Sequence, residues 1–259
     1  MEKKYKLTEE TINVKGATLY RIEALRDFGD VKKGDKGGFI EKEDNLSQSD
    51  NCWVYGNAKV CDKAKVCDNA KVYDNVMVFD NAMVYGNAKV YEYAAVFGNA
   101  MVCENAVVCD NANVYGNARV YGKARVYGKA KVYEYAAVFG NAMVCENAVV
   151  CGYASIYDKA EVFGYAKVHG CAVVFGEARI CGDAVITSNS DYIVFKNWWS
   201  SGRYFTWTKS NNMWKVGCFH GTGKELIEKA YKDSEISGRE YERVVKYVES
   251  IIADDGTDK

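Results

Sequence analysis

From Val54 to Ile186 every sixth residue is Val or Ile, with no insertion or deletion along the run. A second column keeps the same step: every sixth residue from Ala58 to Ala184 is Ala, with Val76 the exception. The unit reads Val, then Tyr, Cys or Phe, then Gly, Asp or Glu, then most often Asn, Lys or Tyr, then Ala and a variable residue, as in Val54-Tyr55-Gly56-Asn57-Ala58-Lys59. Self-similarity at a fixed short period marks a stacked repeat. Six residues are too few for a helix pair or an ordinary hairpin. They suit one short strand and one tight corner, and three such units close a triangular coil of eighteen residues. The β-branched Val then points inward onto the Val of the next coil. The Ala takes the corner, where a small side chain is expected, and Gly, Asp and Asn supply the turn, with Asn able to adopt a left-handed backbone.

The run makes roughly seven coils, a prism ~35 Å long at ~4.8 Å per coil. Each coil touches only its neighbours, so both ends need caps. The complete absence of proline fits, since each proline would delete a ladder donor. Val90–Cys109 and Val132–Cys151 are identical, offset by 42 residues, or seven hexads. Seven is not a multiple of three, so the copy is expected on a different face, which favours a structural role for those coils.

The hexads resemble the left-handed β-helix of hexapeptide-repeat acyltransferases, although those carry Gly, Ala, Asp or Glu where this chain has Tyr, Phe or Cys. Over roughly residues 20 to 187 the chain also resembles YdcK-type β-helix proteins, a family of unproven activity often labelled as transferases. That resemblance rests on Leu25-Arg26-Asp27-Phe28-Gly29-Asp30-Val31-Lys32-Lys33-Gly34, Gly37-Gly38-Phe39-Ile40, Asn45-Leu46-Ser47 and Asn51-Cys52-Trp53-Val54-Tyr55. Related segments are similar to ones common in phage and prophage proteins. The fold class implied is mainly β, a left-handed parallel β-helix of about seven triangular coils with a small α+β module behind it.

Three units are expected: an N-terminal β cap over residues 1–47, the solenoid over 48–187, and a C-terminal module over 188–259. In the first, Lys15-Gly16 separates two extended runs, and Gly34, Gly37 and Gly38 mark loops. In the last, 191–196, 203–209 and 213–219 read as strands. Thr222-Gly223-Lys224-Glu225 and Ser237-Gly238-Arg239-Glu240 read as capping boxes, giving βββαα. This tail holds Trp198, Trp199, Trp207 and Trp214, either as the core of a small module or as an aromatic binding surface.

Lys plus Arg number 34 and Asp plus Glu 35, for a net charge of −1, which gives no general pull toward nucleic acid or anionic membrane. No apolar run approaches the ~20 residues of a membrane span, and the first residues lack an apolar signal core. A cytoplasmic protein is expected. Seven of the cysteines occupy the slot after the inward Val: Cys61, Cys67, Cys103, Cys109, Cys145, Cys151 and Cys181. None of these seven lies eighteen residues from another, so free thiols are expected rather than disulfides or zinc sites.

Hexapeptide acyltransferases usually employ a histidine base at a site between subunits, and they extrude a loop to shape the donor site. His169 and His220 are the only histidines, and the solenoid extrudes no loop. His169 stands in the outward slot of its hexad, so a surface position is expected, as it is for His220. Gly221-Thr222-Gly223-Lys224 fails the phosphate-loop pattern, with Cys218 where the first Gly belongs and Glu225 at the end. No metal or cofactor is expected.

The outward columns differ between faces. Lys71, Lys89, Arg125, Glu161 and Arg179 lie on the face through Val72, and Lys59, Lys131 and Lys167 on the face through Val78. The face through Val84 presents Met83, Tyr85, Met101, Cys103, Tyr121, Ala137, Phe139, Tyr157, Val173 and Phe175, with Lys65 and Arg119 its charges. Monomers rarely leave an apolar patch above a few hundred Å², so this face is expected to be covered by a second copy, in a dimer or trimer, or by a host protein. The leading expectation is a non-catalytic interaction protein, encoded by a phage or prophage and inhibiting a host protein. The alternatives are an acyltransferase using an acyl-CoA donor with His169 as base, and a solenoid that sequesters a small anionic ligand such as a nucleotide at subunit junctions.

Overall fold

The computed structural model describes residues 2–255. Each inward residue of the repeat pairs in parallel with the one eighteen residues on: Val72 with Val90, Val78 with Val96, Val84 with Val102. Three hexads therefore close one coil of a parallel β-solenoid. The Val72 sheet has eight strands and the Val84 sheet seven, while the Val78 sheet merges with the N-terminal strands into an eleven-stranded sheet. The inward Val and Ile residues are fully buried, and so are the corner alanines. Val76 is equally buried, so the corner is less strict than its alanines suggest. The duplicated segment does change face, because Val90 lies in the Val72 sheet and Val132 in the Val78 sheet.

The stack has about eight turns rather than the expected seven, because it begins ahead of the sequence repeat. Ile40 pairs with Val60 and Leu46 bridges to Val66. Ile40, Leu46 and Val54 thus make a first coil whose last step is eight residues instead of six. This coil reaches back across the boundary expected at 47 and 48. Ahead of it, β1 (Tyr5–Val14) and β2 (Ala17–Ala24) form an antiparallel hairpin, and β3 (Lys36–Ile40) links β2 to the coils. Lys15 and Gly16 both have positive φ, as a tight two-residue hairpin turn requires.

The left-handed residue of each corner is the third of the hexad, not the Asn that follows it. Positive φ falls at Gly, Asp and Glu of that column, including Asp62, Asp110 and Glu134. A left-handed backbone costs a non-glycine residue about 1 kcal/mol or more, and the acidic side chains compensate it in place. The carboxylate of Asp68 accepts from the N–H of Gly86, that of Asp110 from Gly128 and that of Glu134 from Gly152, each eighteen residues on, at 2.9, 2.7 and 2.7 Å. An acid in this column thus closes the turn of the next coil.

The backbone ladder is polar along the axis. N–H groups of one coil donate to carbonyls of the next, as in Lys59 to Val76 and Lys167 to Ala184. The first regular coil therefore offers free carbonyls and the last offers free N–H groups. The N-terminal segment supplies donors: Phe39, Glu41 and Ser47 N–H bond Ala58, Val60 and Val66, and the buried Asn45 amide reaches Ala64 at 2.9 Å. The C-terminal segment supplies acceptors. Asn189 Oδ1, Thr206 Oγ1 and Ser210 Oγ accept from the N–H groups of Val173, Arg179 and Val185 at 2.8, 2.9 and 2.7 Å.

That C-terminal module has a four-stranded antiparallel sheet, one strand more than expected: Tyr192–Lys196, Tyr204–Thr208, Met213–Val216 and Phe219–Gly221. The added strand is short and carries His220. Helix α1 (Gly223–Asp233) starts at the Thr222–Glu225 capping box. Helix α2 (Glu235–Asp255) starts ahead of the expected box, because Ser234 Oγ accepts from Ser237 N–H. Ser237 and Gly238 are therefore helical. Gly238 sits where a Cβ would meet the Tyr231 ring, so it lets α2 pass close to α1.

Candidate interaction surface

The residue after each inward Val stands outward, and at coil spacing these side chains stack. On the Val84 face the rings of Tyr121, Phe139, Tyr157 and Phe175 form one ladder with centroid separations of 4.8, 4.9 and 5.5 Å. Met83 and Met101 lie side by side in the neighbouring column, which continues with Arg119. Cys103 is buried between Tyr85 and Tyr121. The Tyr85 hydroxyl, pushed up to about 12 by its contact with the Cys103 thiol and by burial, stays protonated. Mutual stacking leaves most of these rings half-buried. Phe175, the last rung, is 47 % exposed.

The Val78 face carries a ladder of its own, Phe79, Phe97, Tyr115 and Tyr133, at 4.8, 4.8 and 4.9 Å. Its first rungs are covered by the chain itself. Ile12, Val14 and Leu19 of the hairpin pack with Cys61 and Phe79, and Lys15 Nζ sits 4.6 Å from the Phe79 ring centre. The Val72 face is overlaid at both ends. Asp30 bonds the Tyr55 hydroxyl and Lys71 Nζ at 2.7 Å each, and Lys215 and Arg179 lie over Phe163.

The Val84 ladder runs into a groove that the sequence did not reveal. Phe175, Gly176 and Glu177 of the last coil form one wall, and Tyr192, Ile193, Val194 and Tyr204 of the C-terminal sheet form the other, enclosing about 570 Å³. Gly176, a left-handed corner glycine, adds no side chain to fill it. Tyr192 ties the two walls, its hydroxyl donating to the Val173 carbonyl at 3.0 Å.

The tryptophans do not form a joint surface. Trp207 and Trp214 are 3 % and 2 % exposed and belong to the core between sheet and helices, and Trp207 Nε1 donates to Asn212 at 2.9 Å. Trp199 packs against Phe205 and Tyr241. Trp198 alone of the four is open, at 81 %. A smaller cavity of about 90 Å³ lies between sheet and helices, lined among others by Arg203, Lys229, Asp233 and Tyr241.

The structure does not bring the two histidines together on one element. His169 lies half-buried on the Val78 face, in the column between Cys151 and Thr187, with its backbone in the ladder. His220 is exposed on the C-terminal sheet and packs over Gly182. Asn211 bonds the neighbouring Asp183, and with the nearby His220 it holds that carboxyl below its usual range. All ten cysteines are free thiols, and Tyr127 stacks its hydroxyl on Cys145 as Tyr85 does on Cys103. Among the described residues no cluster of His, Cys, Asp and Glu could hold a metal ion, and no helix is long and apolar enough to cross a membrane.

Residues 112–128 match the family model described as the YdcK β-solenoid repeat. A protein of Escherichia coli (strain K12), named "Uncharacterized acetyltransferase YdcK", is 39 % identical over 61 residues, which is 20 % of this chain and 19 % of that protein. The chain thus matches about a fifth of that relative's length. With the observed coils, these similarities make the repeat a YdcK-like β-solenoid.

Proposed function

We propose that this chain is a non-catalytic solenoid that works by contact, docking another protein along the Val84 face. The observation that carries the reading is the apolar column Tyr85, Cys103, Tyr121, Phe139, Tyr157 and Phe175, flanked by Met83 and Met101, which opens into the groove beside Tyr192 and Tyr204. The other two faces are overlaid by the chain's own segments or studded with Lys and Arg. A second copy of the chain is the partner this apolar, weakly charged face fits first. The finer form of the reading takes the partner to be a host protein that a phage-encoded chain holds and inhibits. Light scattering tests the first form, with Met101→Asp or Phe139→Asp expected to return an oligomer to monomer. Co-purification from the host tests the second, with the same variants expected to lose the captured protein. A wild-type chain that stays monomeric and captures nothing would overturn both.

The name of the Escherichia coli relative favours a second reading, an acyltransferase with an acyl-CoA donor and His169 as base. A base must reach the proton it removes, and His169 offers a half-buried imidazole on a flat sheet. A thermal shift with acetyl-CoA that His169→Ala abolishes would support this reading; no shift in the wild type would remove it. Sequestration of a nucleotide at a junction between copies predicts binding that appears only in the oligomer.

A further inference from the structure

Lys4 is fully buried, ahead of β1, yet it lies against no carboxylate. Its Nζ donates to the carbonyls of Ser49 and Cys52 at 3.0 Å each and contacts Cys52 Sγ at 3.3 Å, with the Phe28 ring centre 5.0 Å away. Cys52 is fully buried as well. Burial is the leading influence on both groups and pushes them toward their neutral forms, lowering the pKa of Lys4 and raising that of Cys52. Once deprotonated this amine is a nucleophile, and here its nitrogen is held in contact with a sulfur by two further hydrogen bonds. Nothing in the proposed contact function uses this pair.

We propose that Lys4 and Cys52 are an oxidative modification site that joins in a sulfenamide crosslink when a hydroperoxide reaches the thiol. Cys52 passes its proton to Lys4 Nζ and attacks a peroxide oxygen as thiolate; the S–O bond forms, the O–O bond breaks, and the leaving hydroxide takes that proton from the ammonium and departs as water, so sulfur loses two electrons and the peroxide gains them. The lone pair of Lys4 Nζ then attacks the sulfenic sulfur. The N–S bond forms, the S–O bond breaks, and the departing hydroxide takes a proton from nitrogen as a second water. One peroxide is consumed, two waters are released and the chain loses two hydrogens. Transient opening of the N-terminal segment admits the small oxidant. The bond ties residues 48 positions apart and welds the cap to the first coil.

The test treats the folded full-length protein with hydrogen peroxide, alkylates the remaining thiols and maps the tryptic peptides. The expected result is loss of cleavage after Lys4 and a joined pair of peptides containing Lys4 and Cys52, about 2 Da lighter than their sum. Dithiothreitol separates the pair. The crosslinked protein melts higher by on the order of 5–10 °C. The same treatment in urea gives no joined pair. Cys52→Ser loses the crosslink, and Lys4→Met leaves a sulfenic acid that dimedone traps. Because wild-type protein carries the decisive measurement, a variant that folds poorly does not rescue the idea. Cys52 recovered unmodified, as sulfinate or sulfonate, or in a disulfide with another cysteine, with Lys4 free in each case, overturns it.

Discussion

At the scale of single residues, the corner column shows how an unfavourable backbone is made useful. Asp110 holds φ at 56° and accepts from Gly128 N–H at 2.7 Å. Asp110→Ala keeps the left-handed backbone and removes the acceptor, whereas Asp110→Gly removes the acceptor but relaxes the backbone. The alanine variant is therefore expected to lose about 1 kcal/mol in urea titration, and the glycine variant less; equal losses would mean that the carboxylate is not what closes the turn. Asp191 gives a pH-dependent case. Burial works to raise its pKa, but bonds from the Thr187 hydroxyl and N–H and from the Ser188 N–H, at 2.7, 2.7 and 2.9 Å, outweigh it and hold the carboxyl below its usual range. A carboxyl lowered on folding adds stability that is fully present above about pH 4, the unfolded value, and is lost as pH falls through the lower folded value. The melting-temperature gap between wild type and Asp191→Asn should hold from pH 7 to about pH 4 and close below it. The Val and Ala columns were legible because every sixth side chain meets the same surroundings. Gly, Asp and Asn all read as turn residues, so residue type alone left open which of the two middle columns is left-handed. Gly alternating with Asp and Glu in the third column, at Gly56, Asp62 and Asp68, was the better sign.

At the scale of elements, the ladder's direction decides what each cap must offer. The N-terminal strands present donors to open carbonyls, and the C-terminal sheet presents hydroxyl and amide oxygens to open N–H groups. Thr206→Val keeps the shape of the side chain but leaves the partly buried Arg179 N–H without its acceptor, an expected cost of about 1–3 kcal/mol. Hydrogen exchange should show the loss first at Arg179 and its strand neighbours; unchanged protection there would mean that the cap holds by packing alone. That a cap was needed followed from the sequence, because stacked coils must end. Which atoms do it did not, since Asn189, Thr206 and Ser210 lie in turns and a strand with no spacing in common. Trp207 and Trp214 illustrate the same limit. Their strands were readable, but which side of the sheet the helices cover depends on how α1 and α2 fold back.

At the scale of the whole molecule, the solenoid separates stability from the pattern on its surface. Each coil contacts only its neighbours, so stability is close to a sum over coils, while a face exists only if columns stay in register at eighteen residues. Removing residues 99–116 takes out one coil and joins Gly98 to Asn117, leaving each column whole and one rung shorter. Removing residues 99–104 joins Gly98 to Asn105, and every Val and Ala still falls inward. Everything beyond the joint, however, is turned by one face. Tyr121, Phe139, Tyr157 and Phe175 then no longer continue the column of Tyr85. Both shortened chains are expected to unfold cooperatively at similar temperatures, because their cores and caps are equivalent. Only the chain lacking the full coil should keep the self-association or partner capture of the parent in light scattering and pull-down. Equal association by both would place the contact beyond the joint, in the Tyr121–Phe175 ladder and its groove or in the C-terminal module, which are the same in the two chains, and not in a column that must run on from Tyr85.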